Sequence, residues 1–151
     1  MHEMLGNQYF LARNYAKAAE NLEKALAKCD DNKSIRRKLI VCYTQLTKID
    51  KALDHFLSLI KQDIDYIIKI DPIVDDCPCP ELVFDMEARL ETNSVDQCIA
   101  LGILWLYCNF EKSLKYFQKA HQLSKENDKI KSVLSILLNY QNKKMNSLSL
   151  N

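Results

Sequence analysis

Apolar residues recur along most of this 151-residue chain at spacings of three and four, which is the period of one face of an α-helix. The first such set lies near the N-terminus and contains Tyr15, Ala18, Leu22 and Ala25. The same spacing returns at Ile49, Ala52, Phe56 and Leu59, and again at Phe110, Ser113, Phe117 and Ala120. The pattern predicts three packing helices, each with a small residue where a neighbouring helix approaches closely.

A second apolar segment precedes each of the first two sets. The two segments contain Leu5, Gly6 and Tyr9, and Leu39, Ile40 and Tyr43. In both, the leucine lies 13 residues before the small residue, and the arrangement repeats after 34 residues. A period of this length is typical of stacked helical hairpins, so we predict that each unit is a pair of helices.

At these residues the chain resembles the tetratricopeptide repeat family, whose unit has the pattern L-G-x-x-Y followed by Y-x-x-A-x-x-x-F-x-x-A-L. The matching segments are LGNQY at 5–9 with YAKAAENLEKAL at 15–26, LIVCY at 39–43 with IDKALDHFLSLI at 49–60, and FEKSLKYFQKAH at 110–121. In the third unit, Leu101 occupies the glycine place of the pattern. The resemblance implies an all-α fold, a right-handed superhelix of antiparallel helix hairpins whose first helices line a concave, partner-binding face.

The spacing and the resemblance together predict one domain over residues 1–151. Its parts are repeat 1 (about 1–32), repeat 2 (about 33–70), a connector with an inserted helix (about 71–93), repeat 3 (about 94–126) and a capping helix (about 128–142). A capping helix would cover the apolar end of the stack. The alternative is that this last segment is the first helix of a fourth repeat in a longer protein.

The connector and inserted helix, residues 71–93, are called the insertion below. Ala52 and Ser113 are 61 residues apart rather than 34, which leaves 27 additional residues between the second and third units. Helical spacing continues to about Ile70 and then meets Asp71-Pro72, so we predict a long helix that ends there. The stretch IVDDCPCP at 73–80 predicts an extended connector, and residues 81–92 a short helix.

Composition supports long helices and excludes several function classes. The chain has only two glycines and three prolines, so it turns corners rarely and cannot form glycine-rich phosphate-binding loops. The 21 basic and 20 acidic residues give a net charge of +1, which predicts no nucleic-acid partner. No apolar run is long enough to span a bilayer and no secretory signal is visible, so we expect a cytoplasmic protein with free cysteines.

The sequence contains little that predicts catalysis. The histidines, at positions 2, 55 and 121, form no metal-binding or nucleophile motif, so we predict neither an enzyme nor a cofactor. Cys77 and Cys79 lie in a Cys-Pro-Cys-Pro segment that could hold a metal ion or act in redox chemistry. A second close-spaced pair of ligands, as a tetrahedral zinc site requires, is missing from the sequence.

Counting from the repeat register assigns residues to the concave groove. The predicted partner-binding residues are Asn7, Phe10, Leu11, Arg37, Lys38, Val41, Thr44, Gln45 and Trp105. Arg37 and Lys38 are interpreted either as a solvated helix start or as a contact for an anionic partner. Trp105 is interpreted either as a core residue covered by the inserted helix or as an exposed anchor for a peptide.

These observations leave three functional hypotheses. The first is a protein–protein interaction module, an adaptor or chaperone-like protein that binds a peptide or partner protein in its concave groove. The second is a structural scaffold that buries its groove or its end in a homo-oligomer or in a larger repeat protein. The third is a metal or redox protein that uses Cys77 and Cys79.

Overall fold

The computed structural model describes residues 1–149, and the regular structure in them is entirely α-helical. The helices are α1 (His2–Leu11), α2 (Tyr15–Lys28), α3 (Lys33–Gln45), α4 (Ile49–Asp63), α5 (Asp65–Ile68), α6 (Cys79–Ala88), α7 (Val95–Leu106), α8 (Phe110–Leu123) and α9 (Asp128–Ser149). The predicted all-helical fold is therefore confirmed. Within the described part of the chain, no helix is both long enough and apolar enough to cross a membrane.

Short polar side chains precede five of the helices in the described part of the chain. The side chains that accept a hydrogen bond from the backbone N–H three residues later are those of Asn14, Asn32, Ser94, Asn109 and Asn127. Such caps satisfy amide groups that have no partner within the helix. The turns before α2, α4 and α7 each contain a non-glycine residue with positive φ, namely Arg13, Thr47 and Asn93. Tight hairpins therefore form here without glycine.

The first two hairpins pack in the order of the sequence. α1 packs on α2, α2 on α3, and α3 on α4. Because successive helices joined by short turns are antiparallel, α1 and α3 run parallel. Gly6 of α1 allows close approach to α2, since a Cβ on this residue would lie 2.7 Å from Leu22 Cδ2. Ala18 and Ala52, the predicted small positions, are completely buried.

The helical path after α4 ends slightly earlier than predicted. α4 stops at Asp63, and α5 continues from Asp65 to Ile68. Ile64 between them keeps helical torsion angles, and its carbonyl oxygen accepts hydrogen bonds from the N–H groups of Ile67 and Ile68. The predicted long helix is thus present as far as Ile68, with an interruption at Ile64.

The predicted extended connector is instead a compact series of turns, called the 71–77 turn below. The Asp71 carboxylate accepts hydrogen bonds from the N–H groups of Ile73 and Val74. The Cys77 N–H donates to the Pro72 carbonyl oxygen at 3.0 Å. The prediction of an extended segment was wrong because aspartate side chains stabilise tight turns by bonding the backbone two or three residues on. The inserted helix, α6, begins at Cys79 rather than at residue 81.

The third hairpin, α7–α8, runs in the direction opposite to that of the first two. Tyr107 directly follows α7, and its hydroxyl donates to the carbonyl oxygen of Arg37, near the start of α3, at 2.8 Å. At the other end, Gln97 near the start of α7 lines the same cavity as Gln45, the last residue of α3. α7 is therefore antiparallel to α3. In an uninterrupted array of hairpins the first helices would run parallel.

The last helix, α9, extends from Asp128 to Ser149 and packs against both α8 and α4. Its contact with α4 includes an ion pair between Lys129 and Asp54 at 2.6 Å. Its contact with α8 includes the Phe110 and Tyr140 rings, whose centroids lie 5.3 Å apart. The buried side chains of α9 are Ile130, Val133 and Leu137. The helix covers the apolar faces of two earlier helices at once.

Candidate functional site

The insertion lies against α1 and α3, the first helices of the first two hairpins. Its 71–77 turn, α1, α3 and Tyr107 together enclose a small cavity of about 10 Å³. Phe10 and Val41, two predicted groove residues, line this cavity together with Asp75, Asp76 and Cys77 of the insertion. In this structure the protein's own chain therefore fills part of the groove that the repeat register assigned to a partner.

The nine predicted groove residues differ in exposure. Phe10, Val41 and Thr44 are buried. Leu11 is exposed. The half-buried members of the set are Asn7, Arg37, Lys38, Gln45 and Trp105. The structure brings Phe10, Arg37, Lys38 and Val41 together under the 71–77 turn, and it places Thr44 and Gln45 at a separate opening.

Arg37 is engaged with the segment that follows α4. Its Nη1 donates to the carbonyl oxygen of Tyr66 at 3.0 Å, and its guanidinium lies 4.3 Å from the centre of the Tyr66 ring. Its Nη2 is 4.0 Å from an Asp75 carboxylate oxygen. The guanidinium is thus held at the groove by a backbone contact and an aromatic ring, and it faces the acidic part of the insertion.

Lys38 connects α3 to α1. Its Nζ donates to the Asn7 side-chain oxygen at 2.8 Å. Burial lowers the pKa of Lys38, the neighbouring Arg37 lowers it further, and Glu3 opposes the shift. Partial desolvation makes an anion favourable beside this ammonium group.

An open cleft lies between the end of α3, the end of α6 and the start of α7. It encloses about 390 Å³ and is called the cleft below. Its walls include Gln45, Met86, Arg89, Gln97 and Leu101. The volume is in the range of pockets that accept a small ligand or part of a peptide.

Polar groups in the cleft surround an apolar floor. Ile49 and Leu101, which form part of this floor, are buried core residues. The Gln45 amide contacts the Met86 sulfur at 3.5 Å, and the Gln97 side-chain oxygen accepts a hydrogen bond from the Glu91 N–H. These contacts orient two side-chain amides, the groups that pair with peptide N–H and C=O groups. The arrangement can bind a peptide segment.

Trp105 lies outside the cleft. It connects α6 to the third hairpin. Its Nε1 donates to Glu87 Oε1 at 2.8 Å, and the Tyr116 hydroxyl donates to the same oxygen at 3.0 Å. Lys112 Nζ lies 4.2 Å from the centre of the Trp105 ring. Trp105 was interpreted either as a residue covered by the inserted helix or as an exposed peptide anchor. In the structure it is half-buried and contacts the inserted helix.

The cysteines of the insertion lie close to each other and to Arg37. Cys79 is completely buried, which raises the pKa of its thiol. A hydrogen bond from Cys79 lowers the pKa of Cys77, and Arg37 adds to this effect. All six cysteines are free thiols. Within residues 1–149, no group of three or more histidine, cysteine or acidic side chains is arranged to hold a metal ion.

No model of a known protein family matches this sequence, and a search of curated proteins gave no significant match. The cleft must therefore be interpreted from its own residues. Reasoning from the sequence missed Met86, Arg89 and Gln97, because the first two lie in the insertion and the direction of α7 was not predictable. For Met86 the sequence does contain a signal, because Leu82, Met86 and Leu90 recur at the spacing of one helix face.

Proposed function

We propose that this protein is a protein-interaction module that binds a segment of a partner in the cleft and carries out no chemistry of its own. The observation that supports the proposal is an open cavity of about 390 Å³ whose apolar floor is bordered by two oriented amides. Amides at the rim suit an extended peptide, whose backbone groups need partners when they leave water. A peptide side chain would contact the apolar lining at Met86 and Ile49.

Opposite charges at the cleft favour one orientation of such a peptide. Arg89 and Asp96 both line the opening, and Lys48, Asp50 and Lys51 lie beyond Asp96 in an adjoining depression. Charges at the rim of an interface affect partner choice and association rate more than affinity. We propose an adaptor of the cytoplasm, with two tetratricopeptide-like hairpins and no role in nucleic-acid or membrane binding. We also propose that these hairpins are arranged as a right-handed superhelix.

The test is a peptide selection followed by calorimetry. Peptides selected from a random library on the full chain are titrated against Gln45→Ala/Gln97→Ala and against Gln62→Ala/Gln118→Ala, in which both glutamines are exposed and lie outside the cleft. We expect at least a tenfold loss of affinity for the first variant and none for the second. Equal affinities for the two variants would contradict the proposal, as would a library that yields no binding peptide.

A second function, self-association, is favoured by the outer face of α1. Met1 and, within α1, Met4, Leu5 and Leu11 are exposed and lie on one side of the helix, with Gln8 between them. Exposed apolar patches of this kind mark interfaces in soluble proteins. Light scattering over a range of concentrations tests this function. Concentration-dependent mass that Met4→Glu/Leu11→Glu abolishes would support a scaffold, whereas a monomer at every concentration would contradict it.

A further inference from the structure

The 71–77 turn presents two neighbouring carboxylates to a basic part of the groove. Asp75 faces Arg37 at 4.0 Å, and Asp76 faces Arg13 at 3.8 Å. Lys38, the third cation of this region, lines the same small cavity as both aspartates. The turn therefore meets the groove mainly through charge complementarity.

The turn is held weakly compared with the segments on either side of it. Both ion pairs are long, at 3.8 and 4.0 Å, and partly exposed pairs of this kind contribute little to stability. Asp76 has a φ of 47°, and its Oδ2 is shielded from solvent without a hydrogen-bond partner. Positive φ in a non-glycine residue and an unpaired buried oxygen both cost free energy.

The apolar residues of the turn add no burial to offset these costs. Ile73 is 91% exposed and Val74 is 80% exposed. By contrast, Ile67 before the turn and Cys79 after it are completely buried. The turn is thus an exposed segment between two flanks that are anchored in the core.

We infer that the 71–77 turn is a displaceable internal ligand, and that the groove beneath it binds an acidic segment of a partner. The turn itself shows which groups such a segment needs. It needs two adjacent carboxylates, like those of Asp75 and Asp76, and after them a small residue that fits beside Phe10, as Cys77 does. This inference deepens the proposed function, on which it rests, because it assigns regulation and a second ligand class to the same concave side. An acidic partner segment would replace Asp75 and Asp76 over Arg37 and Lys38.

The experiment uses a synthetic peptide with the sequence of residues 70–80 and serine in place of both cysteines. The peptide is titrated against the full chain and against the variant Asp75→Asn/Asp76→Asn, which lacks the charges of the internal ligand. We expect the variant to bind the peptide at least tenfold more tightly than the unmodified chain does. A control peptide with asparagine in place of Asp75 and Asp76 should bind neither protein. Addition of Lys38→Gln to the variant should lower its affinity for the acidic peptide about tenfold.

Hydrogen exchange gives an independent measurement on the same proteins. The Asp75 N–H donates to the Asp71 carbonyl oxygen and the Cys77 N–H to that of Pro72. Both amides should exchange faster in Asp75→Asn/Asp76→Asn, and faster still with peptide bound, while the amides of Leu39 and Leu53 in the core stay unchanged.

Three results would overturn the inference: equal peptide affinity for the unmodified chain and the variant, no binding to either protein, or unchanged exchange in the turn. These failures are distinguishable from failure of the proposed function. A peptide selected for the cleft would still lose affinity through Gln45→Ala/Gln97→Ala.

Discussion

Gly102 lies against the ring of Phe117, so close that a Cβ added to Gly102 would be 2.8 Å from the ring carbon Cδ2. Gly6 bears the same relation to Leu22 in the first hairpin, at 2.7 Å. Both glycines of the chain thus lie within helices and allow a large side chain of the next helix to approach. The repeat register placed Leu101 in this role, which was wrong by one position.

Substitution of Gly102 by alanine should destabilise the protein, although alanine is the better helix former by about 1 kcal/mol. The added methyl group would push the Phe117 ring, which is already stacked on Phe56 with centroids 5.7 Å apart. Overpacking of this kind costs about 1–3 kcal/mol. Urea denaturation of Gly102→Ala measures the loss, and Gly102→Ala/Phe117→Leu should recover part of it. A more stable single variant would contradict the close contact.

Removal of the Tyr107 hydroxyl should weaken the junction between the reversed hairpin and α3. This buried hydroxyl donates to the Arg37 carbonyl oxygen, so Tyr107→Phe should cost about 0.5–1.5 kcal/mol. The matched control is Tyr116→Phe, because the Tyr116 hydroxyl bonds to the exposed Glu87 carboxylate. Thermal unfolding should show a lower melting temperature for Tyr107→Phe than for Tyr116→Phe. The reverse order would show that the junction is not held in this way.

The two cysteines of the insertion should differ in their tolerance of serine. Cys79 is completely buried, and a serine hydroxyl there would lose water, at a cost of about 1–3 kcal/mol unless it finds a partner. Cys77 is only half-buried, so Cys77→Ser should change the free energy of unfolding by less than about 0.5 kcal/mol. Denaturant titration of the two single variants tests the difference, and equal losses would be inconsistent with the burial of Cys79.

His55 should make stability depend on pH. Its Nδ1 lies 2.9 Å from Arg36 Nη1, and since a guanidinium only donates, this nitrogen must accept and the ring must be neutral. Burial, followed by the charge of Arg36, lowers the pKa of His55.

The direction of the pH effect follows from proton binding. The unfolded chain binds a proton near pH 6.5, where the folded chain does not, so this contribution to stability is complete above about pH 6.5 and is lost as the pH falls towards the folded pKa. Between about pH 7.5 and pH 5.5, the urea midpoint should therefore fall further for the unmodified protein than for His55→Gln. Identical pH dependence in the two proteins would exclude His55 as the cause.

Local periodicity was enough to predict the helices, whereas the relative direction of distant helices was not predictable. The spacing from Tyr15 to Ala25 and from Ile49 to Leu59 reports only which side of a helix is buried, and both helices form as expected. The spacing from Phe110 to Ala120 is identical in a hairpin of either direction. The direction of α7 is visible only in contacts between distant residues, such as that of Tyr107 with Arg37, 70 residues earlier.

The candidate site was less predictable than the fold. The groove residues came from a register that assumed an unoccupied concave side, and the insertion covers Phe10 and Val41. Cleft residues such as Met86 come from that same insertion, whose position depends on contacts far apart in the sequence. Only Thr44 and Gln45 belong both to the predicted groove and to the cleft.

The contact of α9 with α4 as well as α8 affects how the chain should unfold. In a linear array each repeat touches only its neighbours, so the ends can unfold separately and stability approximates a sum of local terms. In this protein the last helix, α9, also contacts the second hairpin, through the ion pair between Lys129 and Asp54 of α4. Separation of α9 would expose Ile130, Val133 and Leu137 together with the sides of α4 and α8 that the helix covers, so the buried part of α9 should not unfold independently. Folding of residues 49–149 should then be a single cooperative event, despite the repeat-like sequence.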